Sequence, residues 1–69
     1  MKLSIRNQFA GTVTSIVQGE AMAVVKIQLP GGQIITSSVT REAVADLGLV
    51  EGSAVTALVK STEVALAIE

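Results

Sequence analysis

Between Ala21 and Leu29 the side chains alternate. Ala23, Val25, Ile27 and Leu29 fall on one face of an extended chain, while Met22, Val24, Lys26 and Gln28 fall on the other. A repeat of two belongs to a β-strand and not to a helix. Directly after it stands Pro30-Gly31-Gly32, where proline offers no N–H to a ladder and the glycines accept turn conformations. A strand that ends this way predicts a hairpin, and the rest of the chain has to fold around that hairpin.

The flanking segments are consistent with it. Phe9 to Val17 is rich in β-branched and small residues and reads as a first strand, joined to the second by the polar turn Gln18-Gly19-Glu20. Gln33 to Val39 reads as the third strand and carries the hydroxyl run Thr36, Ser37 and Ser38. Thr40 then stands at an N-cap position, Arg41 to Leu47 carries the helical spacing of Ala43, Val44 and Leu47, and Gly48 suits a left-handed close. Leu49 to Gly52 forms a loop and turn, Ser53 to Val59 a fourth strand, and Glu63 to Ile68 a fifth, with Val64, Leu66 and Ile68 on one face. The expected fold is all-β: one domain over residues 1–69, a small five-stranded OB-like barrel with one short helix between strands three and four.

Composition narrows the function. A chain of 69 residues buries only about 60% of the surface that its unfolded form exposes. It has no cysteine and no histidine, so neither disulfides nor thiolate or imidazole metal sites are available to reinforce it. Yet 49% of its residues are hydrophobic, more than so small a core can hide, which points to a homo-oligomer. Five basic residues against six acidic ones give a net charge of −1, and Phe9 is the only aromatic. No diffuse positive field or set of stacking rings is present for nucleic acid. No apolar run reaches the length needed to span a bilayer, and the first residues lack a signal peptide's apolar core, so the cytoplasm is the expected compartment. The acids Glu20, Glu42, Asp46, Glu51, Glu63 and Glu69 are scattered over turns, strand ends and the terminus, and no nucleophile has a base beside it; an enzyme is not expected.

The cations are few enough to take singly. Lys2, Lys26 and Arg41 read as surface charges. Arg6 and Lys60 differ, because each stands beside serine at the end of an apolar stretch: Ser4-Ile5-Arg6-Asn7-Gln8 near one end and Lys60-Ser61-Thr62 near the other. A guanidinium fork, an ammonium and hydroxyls without intervening carboxylates suit a small, fully deprotonated oxyanion. The plainer reading is a polar lead into a strand and a solvated lysine. Thr40 has the same two readings, a structural cap or a cap that also presents an anion site at the helix start.

These segments resemble the Mop-type molybdate-binding proteins, the molbindins, and related domains of molybdate transporters and regulators. The resemblance rests on Ser4-Ile5-Arg6-Asn7-Gln8 followed by Gly11, on Pro30-Gly31-Gly32, on Val39-Thr40 leading through Val44 to Asp46-Leu47-Gly48-Leu49, on Glu51-Gly52, and on Ala57-Leu58-Val59-Lys60-Ser61-Thr62. It covers nearly the whole chain. It implies that dimers exchanging their N-terminal strands assemble into a hexamer, with molybdate, or tungstate, bound between subunits. It further implies that Ser4, Arg6 and Lys60 contact the oxyanion, that Thr40 and the backbone at Ala43 contribute from the helix start, and that Ser61 lies beside the lysine. The family can carry serine where this chain has Ala43, so only a backbone donor is on offer there. The implied function is intracellular storage or buffering of molybdate. An OB-like nucleic-acid module and a purely structural oligomerisation domain are the competing readings.

Overall fold

A computed structural model describes every residue, Met1–Glu69. The β-branched and apolar segments form four strands: β1 Asn7–Gln18, β2 Met22–Gln28, β3 Ile34–Thr40 and β4 Ala54–Val59, with the helix α1, Arg41–Leu47, between β3 and β4. They make one antiparallel sheet in the order β3-β2-β1-β4.

β1 serves two neighbours in succession. Its first half, Asn7 to Thr12, pairs with β4, and from Thr12 onward it pairs with β2, so Thr12 faces both Ala54 and Gln28. A strand used in this way must bend. The bend has two local causes: an extra residue, Thr14, breaks the register between Val13 and Ser15, and Gly11 lets the backbones approach closely. A Cβ on Gly11 would lie 2.6 Å from Ile27 Cγ2 and 2.8 Å from the Gln28 carbonyl oxygen, closer than real contacts allow.

The concave face of the curled sheet carries the core. Val13, Ala23, Val25, Ile27 and Val44 are buried, with Ile16, Leu29, Val39, Leu49 and Val55 packed partly against them. Val44 is the one buried residue of α1, which makes the helix a plug at one end of the sheet. Its ends are as the sequence predicts. Thr40 is extended (φ −72°, ψ 151°) and its Oγ1 accepts the Ala43 N–H at 3.0 Å. Gly48 sits in the left-handed region at φ 63°; its N–H reaches the Ala45 carbonyl and that of Leu49 reaches the Val44 carbonyl, the paired bonds of a Schellman close.

The chain does not form the expected five-stranded OB-like barrel. The sheet curls through 193°, which makes half a barrel of four strands and not a closed one. Ser61–Glu63 forms a short 3-10 turn, and the residues from Val64 to Glu69 join no ladder. Alternation decides which face of a segment is apolar but supplies no partner for its N–H and C=O groups. The tail therefore stands away from the body, with Leu66 93% and Ile68 98% exposed. Between the free edges of β3 and β4 the half-barrel leaves a groove of about 310 Å³, lined among others by Val25, Ile35, Val39, Val55 and Val59.

Candidate functional site

Of the five cations, Arg6 and Lys60 are placed by backbone pairing. The β1–β4 ladder ends with Asn7 opposite Val59, so Arg6 and Lys60 are the first residues beyond it on either strand. Adjacent strands lie about 4.8 Å apart. Two residues separated by nearly the whole sequence thus leave the sheet at the same end, and both are exposed. Ser61 follows Lys60 into the 3-10 turn, and Ser4 lies at a bend just ahead of Arg6.

This end carries positive charge with neutral donors. No acid occurs within Ser4–Gln8 or Lys60–Thr62; Glu63 is the nearest in sequence. Two like charges at one end of a ladder repel, so an anion held between Arg6 and Lys60 would relieve that repulsion. Arg6 offers a planar fork, Lys60 a compact ammonium, and Ser4 and Ser61 hydroxyls that can donate. The lead-in is itself fixed: the side chain of Ile5 is half-buried, and Gln8 Nε2 donates to the Ile5 carbonyl at 2.8 Å.

The other two expected residues lie elsewhere. Thr40 pairs with Met22, one row beyond the Ala23–Gln18 pair that ends β1. The ladder end and the helix start therefore lie toward opposite ends of the bent, 12-residue β1. Within one chain, Ser4, Arg6, Lys60 and Ser61 lie in the segments just beyond the Asn7–Val59 end of the β1–β4 ladder, whereas Thr40 and Ala43 belong to the β3–α1 junction beside the other end of β1.

The helix start has its own hydrogen-bond account. The Ala43 N–H is taken by Thr40 Oγ1, the Arg41 N–H by the Ala21 carbonyl at 2.9 Å, and Arg41 Nη1 donates to the Gly19 carbonyl at 3.3 Å. The free donor here is the Thr40 hydroxyl hydrogen, because that oxygen accepts from Ala43 and can still donate outward. Arg41, read from sequence as a surface charge, ties the β1–β2 turn to α1. Lys26 is also engaged: it is half-buried, and its Nζ donates to Thr36 Oγ1 at 2.7 Å. Neither tie has a sequence signal, since each depends on strand register.

The two main concavities do not compete for an anion. The apolar groove is lined by no charged residue, and nor is the shallow recess formed by Ala10, Gly11, Thr12, Gln28, Leu29 and Pro30. No group of three or more His, Cys, Asp or Glu side chains converges as a cation site. No helix is long and apolar enough to cross a membrane.

With this geometry in hand, comparison with known proteins gives a consistent result. The TOBE domain family matches residues 3–66. A probable molybdenum-pterin-binding protein of Haemophilus influenzae is 41% identical over 69 residues, covering all of both chains. Among solved structures, MopII of Clostridium pasteurianum superposes with a TM-score of 0.92 at 39% identity, covering 97% of this chain and all of that one. A molybdate-binding protein from Sporomusa ovata also gives 0.92, at 43% identity, with 99% of this chain and all of its own covered. The fold and the matched length define a TOBE-type β-domain, and within that class the chain belongs to the Mop family of small molybdate-binding proteins.

Proposed function

We propose that this chain binds molybdate as the free oxyanion and serves as a cytoplasmic store or buffer for it, in a homohexamer whose sites lie between subunits. Ser4, Arg6, Lys60 and Ser61 of one subunit supply the charged half of each site. Thr40 and the helix start around Ala43 of a neighbouring subunit supply the other. The observation that supports this reading is that the β1–β4 ladder ends at Asn7 and Val59, immediately before Arg6 and Lys60, while Thr40 lies at the junction of β3 and α1 beside the other end of β1.

A tetrahedral dianion has only acceptors to offer, and this donor set answers it with two charges and several N–H and O–H groups. Relatives are named for a molybdenum pterin as well as for molybdate. The site favours the inorganic ion: the chain has a single aromatic ring to stack on a pterin, Phe9, and neither concavity combines charge with depth. The acidic balance and that lone ring likewise give single-stranded nucleic acid neither counter-charge nor a stacking platform.

Tungstate, alike in charge and size, competes well. Sulfate is smaller and leaves some donors out of reach, each unmet buried donor costing about 1–3 kcal/mol. Equilibrium dialysis against molybdate tests the assignment. Arg6→Ala and Lys60→Ala each weaken uptake by about 10- to 100-fold, the loss expected of a charge-assisted hydrogen bond. Unchanged uptake by both variants rejects the site.

A further inference from the structure

We infer that Gln8 is a positioning residue for the oxyanion site, acting through the backbone of Ile5 on the two side chains that flank it. This rests on the reading of Ser4 and Arg6 as ligand donors. Residues Met1 to Arg6 precede the first strand, and in that stretch only Ile5 is better than exposed. A lead-in of this kind, with no ladder to hold it, leaves its side chains free to wander. A long, flexible arginine that must be ordered on binding loses affinity to that ordering.

Ile5 is held at two points. Its side chain is half-buried, and its carbonyl accepts Gln8 Nε2 at 2.8 Å. Gln8 itself is fixed, since it lies in β1 opposite Leu58, one pair in from the end of the ladder. The amide thus carries the order of the sheet three residues back along the chain, past the last paired residue. The clamped carbonyl belongs to the peptide plane that carries the Arg6 Cα, so that atom is set directly, while Ser4, on the other side of Ile5, is restricted through the half-buried residue it adjoins. Gln8 touches no ligand in this scheme. Its role is to hold the hydroxyl and the guanidinium in place before the anion arrives.

The chemistry specifies which substitutions matter. Methionine at this position has nearly the length and shape of glutamine but no donor. Glutamate keeps the shape and sets a negative acceptor against a carbonyl oxygen, next to an anion site. Gln8→Met is therefore expected to weaken molybdate binding by about three- to tenfold, the effect of one neutral hydrogen bond, and Gln8→Glu to weaken it further.

The test uses the full-length protein with sodium molybdate. Dialysis gives the affinity, thermal unfolding and native mass check the fold and assembly, and backbone NMR order parameters without ligand report on Ser4 to Arg6. The expected result for Gln8→Met is weaker binding at unchanged melting temperature and mass, with lower order parameters at Ser4, Ile5 and Arg6 alone. Wild-type affinity, or a loss of affinity with unaltered order parameters at those residues, overturns the inference. So does a fall in melting temperature that accounts for the loss, because it marks a general structural role. Failure of the underlying site is seen separately: there Arg6→Ala binds as well as wild type, whereas failure of the Gln8 inference leaves the Arg6→Ala defect in place.

Discussion

In the proposed site, Arg6 and Lys60 are far apart in sequence. Each is an exposed cation, and each directly adjoins the last pair of the β1–β4 ladder, Asn7 and Val59. The fork of Arg6 can meet two oxygens of one anion, whereas a lysine there meets one. Arg6→Lys is accordingly expected to retain more binding than Arg6→Ala and to remain about three- to tenfold weaker than wild type in dialysis. Gly11 matters for the same geometry in a different way. Its missing Cβ is what allows β1 to pass within van der Waals range of Ile27 and the Gln28 carbonyl, and so to continue toward β4. Gly11→Ala is expected to lower stability by about 1–3 kcal/mol, the usual cost of overpacking, read from the denaturant midpoint.

Among the elements, those whose ends are set locally were legible in the sequence. Thr40 and Gly48 bracket α1 through side-chain and backbone chemistry that needs only neighbouring residues, and the helix falls on Arg41–Leu47 as expected. The alternation of Ala21 to Leu29 and the Pro30-Gly31-Gly32 stop gave β2 and its hairpin for the same reason. The segment from Glu63 to Ile68 alternates just as cleanly and yet is no strand, because strand formation needs a remote edge that periodicity does not reveal. The register past the Thr14 bulge was equally out of reach, and with it the ties of Lys26 to Thr36 and of Arg41 to Gly19. For the candidate site, the donor chemistry on offer in Ser4, Arg6, Lys60 and Ser61 was readable from residue types, whereas which segments leave the sheet at the same end was not, since that depends on ladder register. The cap allows the two roles of Thr40 to be separated. Thr40→Ala is expected to destabilise the protein by about 1 kcal/mol and to lose a donor, while Thr40→Asp still caps the helix but sets a negative charge where the anion would sit. Thr40→Asp should therefore melt near wild type and bind molybdate far more weakly.

Taken as a molecule, the chain has five buried residues and many exposed apolar ones, among them Val17, Ile34, Leu47, Val50, Leu66 and Ile68. Such a surface fits assembly, and assembly is what a divided site requires. An ion that joins two subunits stabilises them together, so saturating molybdate, at about 100 times the dissociation constant, is expected to add about 2.7 kcal/mol to stability. The shift should appear as a raised melting temperature in wild type and be absent from the Arg6→Ala, Lys60→Ala double variant.

The most direct test of the divided site is complementation between subunits. One variant carries Arg6→Ala and Lys60→Ala with its helix start intact; the other carries Thr40→Asp with its ladder end intact. Each alone binds molybdate poorly. Refolded together, they form mixed assemblies in which an intact ladder end from one meets an intact helix start from the other at roughly a quarter of the interfaces, by random mixing. The account predicts that dialysis of the mixture recovers that fraction of sites at wild-type affinity. A mixture that binds no better than its separate components would place all six residues in a single chain's site and contradict it.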